Sequence, residues 1–141
     1  MTAIDLTARN LQNDAKSAGM PWTIAKGFDT FLPLSRQIPK TLIPDPHDVQ
    51  LYLNVNGKER QNDSTNLMLF RIPKILSEIS GVMTLEPHDI VLTGTPKGVG
   101  SVQPGDMITA GVQVEGTREL EAGRIEVEVK EREGGYVYKA E

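Results

Sequence analysis

The sequence predicts a mainly β domain of the α+β class with two short helices, and three observations support this prediction. Apolar and polar residues alternate over residues 49–55 and lead into Asn56-Gly57, a dipeptide typical of tight β-hairpins. Two later segments, 107–114 and 125–129, show strand-like patterns. Strands and helices do not alternate along the chain, so a doubly wound parallel sheet is not expected.

The N-terminal part predicts a short strand followed by a helix. Residues 3–6 are strand-like, and good helix formers fill residues 7–18 until Gly19, with Pro21 just beyond. Glycine after the last turn and proline shortly afterwards are common helix-stop residues. Further prolines interrupt residues 21–46, which we therefore expect to be mostly loop.

A second helix and a glycine-rich segment follow the hairpin. Apolar residues recur at helical spacing over residues 72–79, with Pro73 in the first turn and Gly81 at the end. This pattern predicts an amphipathic helix of about two turns. Residues 90–92 are apolar and predict a buried strand that runs directly into the glycine- and threonine-rich segment 93–100.

Composition narrows the class of protein. The 141 residues fit one domain, taken as residues 1–141. Fifteen basic and 19 acidic residues give a net charge of -4 without a basic cluster, so no nucleic-acid partner is expected. No apolar run approaches the roughly 20 residues that span a bilayer, so no membrane partner is expected. The absence of cysteine excludes disulfides and thiol catalysis and suits a reducing compartment.

The glycine-rich segment does not match the nucleotide-binding motifs. Lys97 precedes Gly98 instead of following a glycine, and Gln103 stands where a dinucleotide motif needs its third glycine. Two interpretations remain: a tight bend at a sheet corner, or a loop whose backbone approaches a small anionic ligand. Thr93 and Thr95 favour the ligand loop, because a bend needs glycine but not threonine.

Four polar residues near the N-terminus form a second candidate site. Asp5 lies where the predicted strand passes into the helix, and Arg9 and Gln12 are three residues apart on one helix face. Lys26 lies in the apolar stretch 22–28, which would partly desolvate it. An aspartate at such a position is more often a helix cap, and a lysine is more often a surface residue. Together with the glycine-rich segment, the four favour a metal-dependent site for an oxo acid.

The histidines and serines give no second catalytic site. His47 and His88 each lie in a Pro-His-Asp turn without a ligand-type residue four positions away, so we expect them to be turn residues. No Gly-x-Ser-x-Gly motif is present, which argues against serine-hydrolase chemistry.

Three ordered segments are informative together: residues 5–12 (DLTARNLQ), 21–29 (PWTIAKGFD) and 92–100 (LTGTPKGVG). They resemble the fumarylacetoacetate hydrolase family, in particular its acylpyruvase and oxaloacetate decarboxylase branch. The resemblance extends to about residue 106, and the tail 115–141 follows the family only in its strand pattern. It implies the mixed β-roll or barrel of the family's C-terminal domain.

The resemblance also implies roles for individual residues. A divalent ion, Mg²⁺ or Mn²⁺, would be held by Asp5 and by two glutamates of an upstream Glu-x-Glu motif. Arg9 and Gln12 would line the substrate pocket, Lys26 would take part in catalysis, and Thr95 would help to hold the substrate carboxylate.

The implied activity is hydrolysis of acylpyruvates or decarboxylation of oxaloacetate, and keto–enol tautomerisation uses the same metal chelate. A hard cation would bind the carboxylate and 2-oxo oxygens of a short 2-oxo acid and stabilise an enolate. The resemblance further implies a homodimer in the full-length form and a mitochondrial or cytoplasmic location.

The chain departs from the family pattern at its start. Only four residues precede Asp5, so the upstream Glu-x-Glu ligands and a lid-borne His–Glu pair are absent, and Glu126-Val127-Glu128 stands in the wrong place. We therefore expect the C-terminal part of such an enzyme, inactive alone. Two alternatives are a non-catalytic form that dimerises with or competes against the full enzyme, and a plain β binding module.

Overall fold

The computed structural model describes residues 1–115 and 118–139, which form one antiparallel sheet with short helices around it. The strands are β1 (Gln50–Val55), β2 (Lys58–Ser64), β3 (Met107–Val114), β4 (Arg118–Glu119) and β5 (Ile125–Glu128). The helices are α1 (Arg9–Ser17), α2 (Thr23–Lys26) and α3 (Ile72–Ser80), and 3₁₀ turns cover Lys40–Leu42, Thr65–Leu67 and Glu121–Gly123. This confirms the predicted mainly β class.

The sheet is open and has the strand order β2-β1-β3-β4, with β5 also paired to β3. β1 and β2 form the predicted hairpin. Its turn residues Asn56 and Gly57 have φ angles of 52° and 74°, the left-handed conformation that the Asn-Gly dipeptide tolerates best. β4 and β5 share one edge of β3 and pair with its opposite ends, so β2 forms the other edge of the sheet.

The hydrophobic core lies on one face of this sheet. Alternate residues of β3 point into it, and Ile108 at its centre is only 2% exposed. Ile4 of the N-terminal segment joins Ile108, Ala110 and Ile125 in one cluster. A second cluster contains Val49, Val112, Val114 and Leu120. Burial of these side chains supplies most of the driving force for folding.

The N-terminal segment is held along a second extended segment. Ile4 donates its backbone N–H to Pro33 at 3.0 Å, and Leu6 donates to Phe31 at 3.0 Å. The predicted strand at residues 3–6 is therefore extended, although it forms one isolated bridge and not a full ladder. α1 follows as predicted and stops before Gly19, whose φ of 65° suits glycine.

The predicted strand at residues 90–92 is wrong. The segment pairs with none of the described strands, and Ile90 and Leu92 are 47% and 44% exposed. Three apolar residues cannot specify a strand unless a sheet edge accepts them. β1 and β3 are already paired on both sides, so neither offers this segment an edge.

The number of helices also differs from the prediction of two. α2 is a single turn inside the stretch expected to be loop. The prolines at positions 21 and 33 exclude a long helix, but the proline-free residues between them leave room for one turn. This turn matters because its last residue is Lys26.

α3 agrees with the prediction but packs loosely. None of its nine described residues is buried, and Leu76 is 38% exposed. His47 accepts a hydrogen bond on Nε2 from the backbone N–H of Ile72 at 3.0 Å and so satisfies one free donor at the start of the helix. Within the described ranges, no helix is long and apolar enough to cross a bilayer.

Candidate active site

Asp5 and Lys26 form the centre of the candidate site. Lys26 Nζ lies 2.8 Å from Asp5 Oδ2, and the two side chains are 33% and 43% exposed. The contact depends on α2, which carries Lys26 at its end, and on a backbone hydrogen bond from Ala8 to Ala25 at 3.0 Å. The pair is therefore positioned by the backbone and still open to a small ligand.

Arg9 and Gln12 form a second pair on α1. Arg9 Nη1 donates to Gln12 Oε1 at 2.9 Å, which confirms that the two residues share a helix face. Gln12 is 8% exposed and is the buried polar side chain among the described residues. Because the Gln12 side chain is buried, its hydrogen bond holds the Arg9 guanidinium in one orientation.

Thr95 lies on the glycine-rich segment and is held by another part of the fold. Its Oγ1 accepts a hydrogen bond from Gln61 Nε2 of β2 at 2.9 Å. In the described part of the chain, no hydrogen bond or ion pair joins Thr95 to Asp5 or Lys26. The structure thus joins four of the five predicted residues into two separate pairs, Asp5 with Lys26 and Arg9 with Gln12, and the roles of all five stay predictions.

The described residues do not complete a metal site. They contain no group of three or more His, Asp or Glu side chains arranged to hold an ion. Asp5 already pairs with an ammonium group, and hard cations such as Mg²⁺ and Ca²⁺ require six or more oxygen ligands. Glu126 and Glu128 point to other partners, Arg124 at 2.7 Å and Lys130 at 3.4 Å, as expected for residues outside the site.

The polar face of the sheet carries a separate open cleft of about 380 Å³, lined among others by Tyr52, Asn54, Thr109 and Arg124. Tyr52 donates its hydroxyl to Glu119. Burial, reinforced by this hydrogen bond, raises the pKa of Tyr52 from 10.0 to about 12. None of the predicted site residues lines this cleft.

Gln61 contacts the glycine-rich segment, and the sequence did not indicate this contact. Its amide reaches Thr95 and the two residues that follow it. A polar residue on the apolar face of a strand is a signal of such a contact. The face on which Gln61 lies is known only once the register of the hairpin is known.

Comparisons with known proteins show which family the chain is similar to. The family model described as fumarylacetoacetate (FAA) hydrolase C-terminal matches residues 1–129. The mitochondrial oxaloacetate tautomerase of Schizosaccharomyces pombe is 55% identical over 127 residues, which cover 90% of this chain and 58% of that protein.

Solved structures match as well. A yeast fumarylacetoacetate hydrolase family protein superposes with a TM-score of 0.90 and 41% identity, over 98% of this chain and 58% of that one. The fumarylpyruvate hydrolase of Pseudomonas aeruginosa, solved with Mn²⁺ and pyruvate, has a TM-score of 0.80 and 30% identity, over 91% and 52% of the two chains. The present chain therefore spans little more than half the length of these relatives. It belongs to the fumarylacetoacetate hydrolase family, in the region of the family's C-terminal domain.

Proposed function

We propose that this chain forms part of an enzyme that acts on short 2-oxo acids through an enolate. The observation that carries the proposal is the partly exposed Asp5–Lys26 ion pair. The Arg9–Gln12 pair lies at the start of α1, which packs against α2. A carboxylate, an ammonium and a guanidinium on these packed segments would bind an anionic substrate and respond to charge that develops on its oxygen.

Tautomerisation, hydrolysis and decarboxylation of 2-oxo acids share one chemical feature, the enolate. Enolisation of a 2-oxo acid removes a proton from the carbon next to the carbonyl and places negative charge on the carbonyl oxygen. Cleavage of the neighbouring carbon–carbon bond leaves an enolate of the same kind. Lys26 would supply positive charge and a proton to that oxygen, which is a role suited to a positioned lysine.

The other residues would bind the substrate. Arg9, restrained by Gln12, offers two parallel donors to a carboxylate. Thr95 would provide a further hydroxyl donor to the substrate carboxylate. Asp5 orients Lys26 through the 2.8 Å ion pair and is the proposed metal ligand of this chain.

A divalent ion, Mg²⁺ or Mn²⁺, would act as a Lewis acid when bound. A single carboxylate is too few ligands, so the remaining ones would come from the Glu-x-Glu motif that the family resemblance implies. The Mn²⁺ in the Pseudomonas fumarylpyruvate hydrolase supports a divalent ion in this family.

Oxaloacetate keto–enol tautomerisation is our first candidate reaction, because the fission-yeast relative carries that name at 55% identity. Hydrolysis of an acylpyruvate, or decarboxylation of oxaloacetate, is the second, supported by the hydrolase structure that contains pyruvate. The name of the fission-yeast relative also supports a mitochondrial location, and we retain a homodimer as the proposed assembly of the whole protein.

The experiment compares two forms of the protein. One is the 141-residue chain. The other, the extended form, is the same chain preceded by a segment that carries a Glu-x-Glu pair. Each is assayed with Mg²⁺ or Mn²⁺ against oxaloacetate, an acylpyruvate and fumarylpyruvate. We expect turnover by the extended form only.

Three results decide between the alternatives. Equal metal-dependent turnover by both forms would contradict the need for the upstream ligands. Inhibition of the extended form by the shorter chain, with mixed dimers visible by native mass spectrometry, would favour the non-catalytic, competing form. Full activity of Asp5→Ala and Lys26→Ala variants of the extended form would support a plain binding module.

A further inference from the structure

Strand β2 has a composition unlike that of a half-buried strand. Its sequence, KERQNDS, contains no apolar residue. The register nevertheless places Gln61 opposite Leu53 and Asp63 opposite Leu51, on the face of the sheet that holds the core. Polar side chains on such a face are costly unless they are hydrogen-bonded, so their partners explain why they are there.

The glycine-rich segment supplies those partners. Gln61 Nε2 lies 2.9 Å from Thr95 Oγ1, 2.7 Å from the carbonyl oxygen of Pro96 and 3.3 Å from that of Lys97. Asp63 Oδ1 lies 3.7 Å from Lys97 Nζ. Two polar side chains of β2 therefore contact residues 95–97 directly.

A β-bulge in β2 adds a backbone contact with the same loop. The pairing passes from Leu53–Gln61 to Asn54–Glu59, so Arg60 has no opposite residue in the described ladder. Its carbonyl oxygen faces Gly98, where a Cβ would lie only 1.9 Å from it. Gly98 also has a φ of 97°. Bulges commonly redirect backbone groups beside functional sites, and here one allows direct backbone contact with the loop.

The hydrogen bond to Thr95 has a chemical consequence. A threonine hydroxyl carries one donor hydrogen and two acceptor positions. Because Oγ1 accepts from the Gln61 amide, its own hydrogen must point elsewhere and is polarised by the bond that the oxygen receives. Gln61 thus occupies one acceptor position of Thr95 Oγ1, so that the hydroxyl hydrogen is directed to another acceptor, such as an anionic carboxylate.

We propose that Gln61 is a positioning residue that orients the Thr95 hydroxyl toward the substrate carboxylate and anchors the 93–100 loop on β2. The proposal rests on the proposed function for its substrate. Gln61 acts through Thr95 and makes no contact with the substrate itself.

The first test measures loop order in the chain itself, by ¹⁵N relaxation of Gly94, Thr95 and Lys97. Gln61→Ala should lower the order parameter of Thr95 from the rigid range near ~0.85 to below ~0.6. Gln61→Glu keeps the size of the side chain but has no N–H donor for the two carbonyls, so it should also loosen the loop, although less than Gln61→Ala because its carboxylate can accept the Thr95 hydrogen. The matched control is Gln50→Ala, which removes a similar amide that donates to Asn62 on the polar face.

Unchanged Thr95 order in both Gln61 variants would overturn the proposal. So would an equal loss of order in strands β1 and β3, because Gln61 would then be a general structural residue. Circular dichroism and the urea midpoint, measured on the same samples, separate these two results from simple unfolding.

The second test uses the extended form with oxaloacetate. Gln61→Ala should raise KM about fivefold to tenfold with kcat within about twofold, because a binding contact is lost equally in ground and transition states. Gln61→Glu should raise KM further, since its carboxylate would accept the Thr95 hydrogen and repel the substrate. An unchanged KM in a variant with a mobile loop would overturn the link to the substrate. A wild-type protein without turnover would instead defeat the proposed function, whatever the relaxation data show.

Discussion

The contact between Gly98 and Arg60 predicts a difference between two similar substitutions. Gly94 and Gly98 both have positive φ angles, 116° and 97°, so alanine is strained at either position. No described atom lies within 4 Å of a Cβ at Gly94, whereas at Gly98 the Arg60 carbonyl oxygen lies at 1.9 Å. Gly94→Ala therefore measures strain alone, and Gly98→Ala measures strain plus the clash.

The size of each effect follows from these contacts. An L-residue in the left-handed region costs about 1–2 kcal/mol, which we expect as the full effect of Gly94→Ala. The Arg60 carbonyl belongs to a strand and cannot move far, so Gly98→Ala should lift the loop off β2. The Gln61 amide shares two N–H hydrogens among its three contacts, so about two hydrogen bonds would be lost, at about 1 kcal/mol each. Added to the strain, the total for Gly98→Ala is about 3–4 kcal/mol.

Urea unfolding followed by tryptophan fluorescence gives both free energies, and ¹⁵N relaxation of Thr95 reports loop release. Gly98→Ala should lower stability by about 2 kcal/mol more than Gly94→Ala and should mobilise Thr95. Equal losses of stability in the two variants, with Thr95 still rigid in both, would refute the close backbone packing on which this reasoning depends.

Three further predictions concern other contacts. Lys26→Met should change the free energy of unfolding by less than about 1 kcal/mol, because its ion pair is half exposed, yet lower oxaloacetate turnover of the extended form at least ~100-fold. Lys74→Met, which removes an exposed ion pair on α3, should leave both unchanged. The raised pKa of Tyr52 means that the folded state holds this proton more tightly, so its stabilisation is complete below about pH 10 and is lost as pH rises through about 12. As pH rises above about 10, the Tyr52→Phe variant should therefore lose less stability than the wild-type protein in urea titrations. An identical pH dependence of the two proteins would contradict the raised pKa of Tyr52. His47→Ala should cost about 1 kcal/mol by removing the acceptor at the start of α3, with faster hydrogen exchange of the first turn as the check.

Elements with strong local patterns could be predicted from the sequence. The hairpin follows from strand alternation and the Asn56-Gly57 turn. α1 follows from its helix-forming residues, α3 from helical spacing, and both from the glycine that ends the pattern. Each of these patterns specifies its own backbone conformation without a distant partner. The location of the core on one face of β3 follows from the same alternation.

Elements that depend on distant partners could not be predicted. Residues 90–92 have the apolar character of a strand, but they pair with none of the described strands, and β1 and β3 are already paired on both sides. α2 is one turn long, which is too short for a periodic pattern. The role of Gln61 depends on the hairpin register and on a bulge, and neither is visible in a run of polar residues.

The contacts of the candidate site also differ in whether the sequence could predict them. The Arg9–Gln12 contact could be predicted because residues three apart meet on a helix. The Asp5–Lys26 contact follows only from residue chemistry and the family resemblance, since it depends on how α2 packs against the N-terminal segment. Thr95 belongs to a loop anchored on β2, so its relation to the other four residues depends on tertiary structure.

The most direct test of the central claim is the rate of oxaloacetate keto–enol interconversion, followed by the ultraviolet absorbance of the enol in the presence of Mg²⁺ or Mn²⁺. The extended form should accelerate it, and Asp5→Asn should reduce that acceleration at least ~100-fold while the urea midpoint stays nearly constant. An Asp5→Asn variant that keeps the full wild-type rate would contradict a catalytic centre at the Asp5–Lys26 pair.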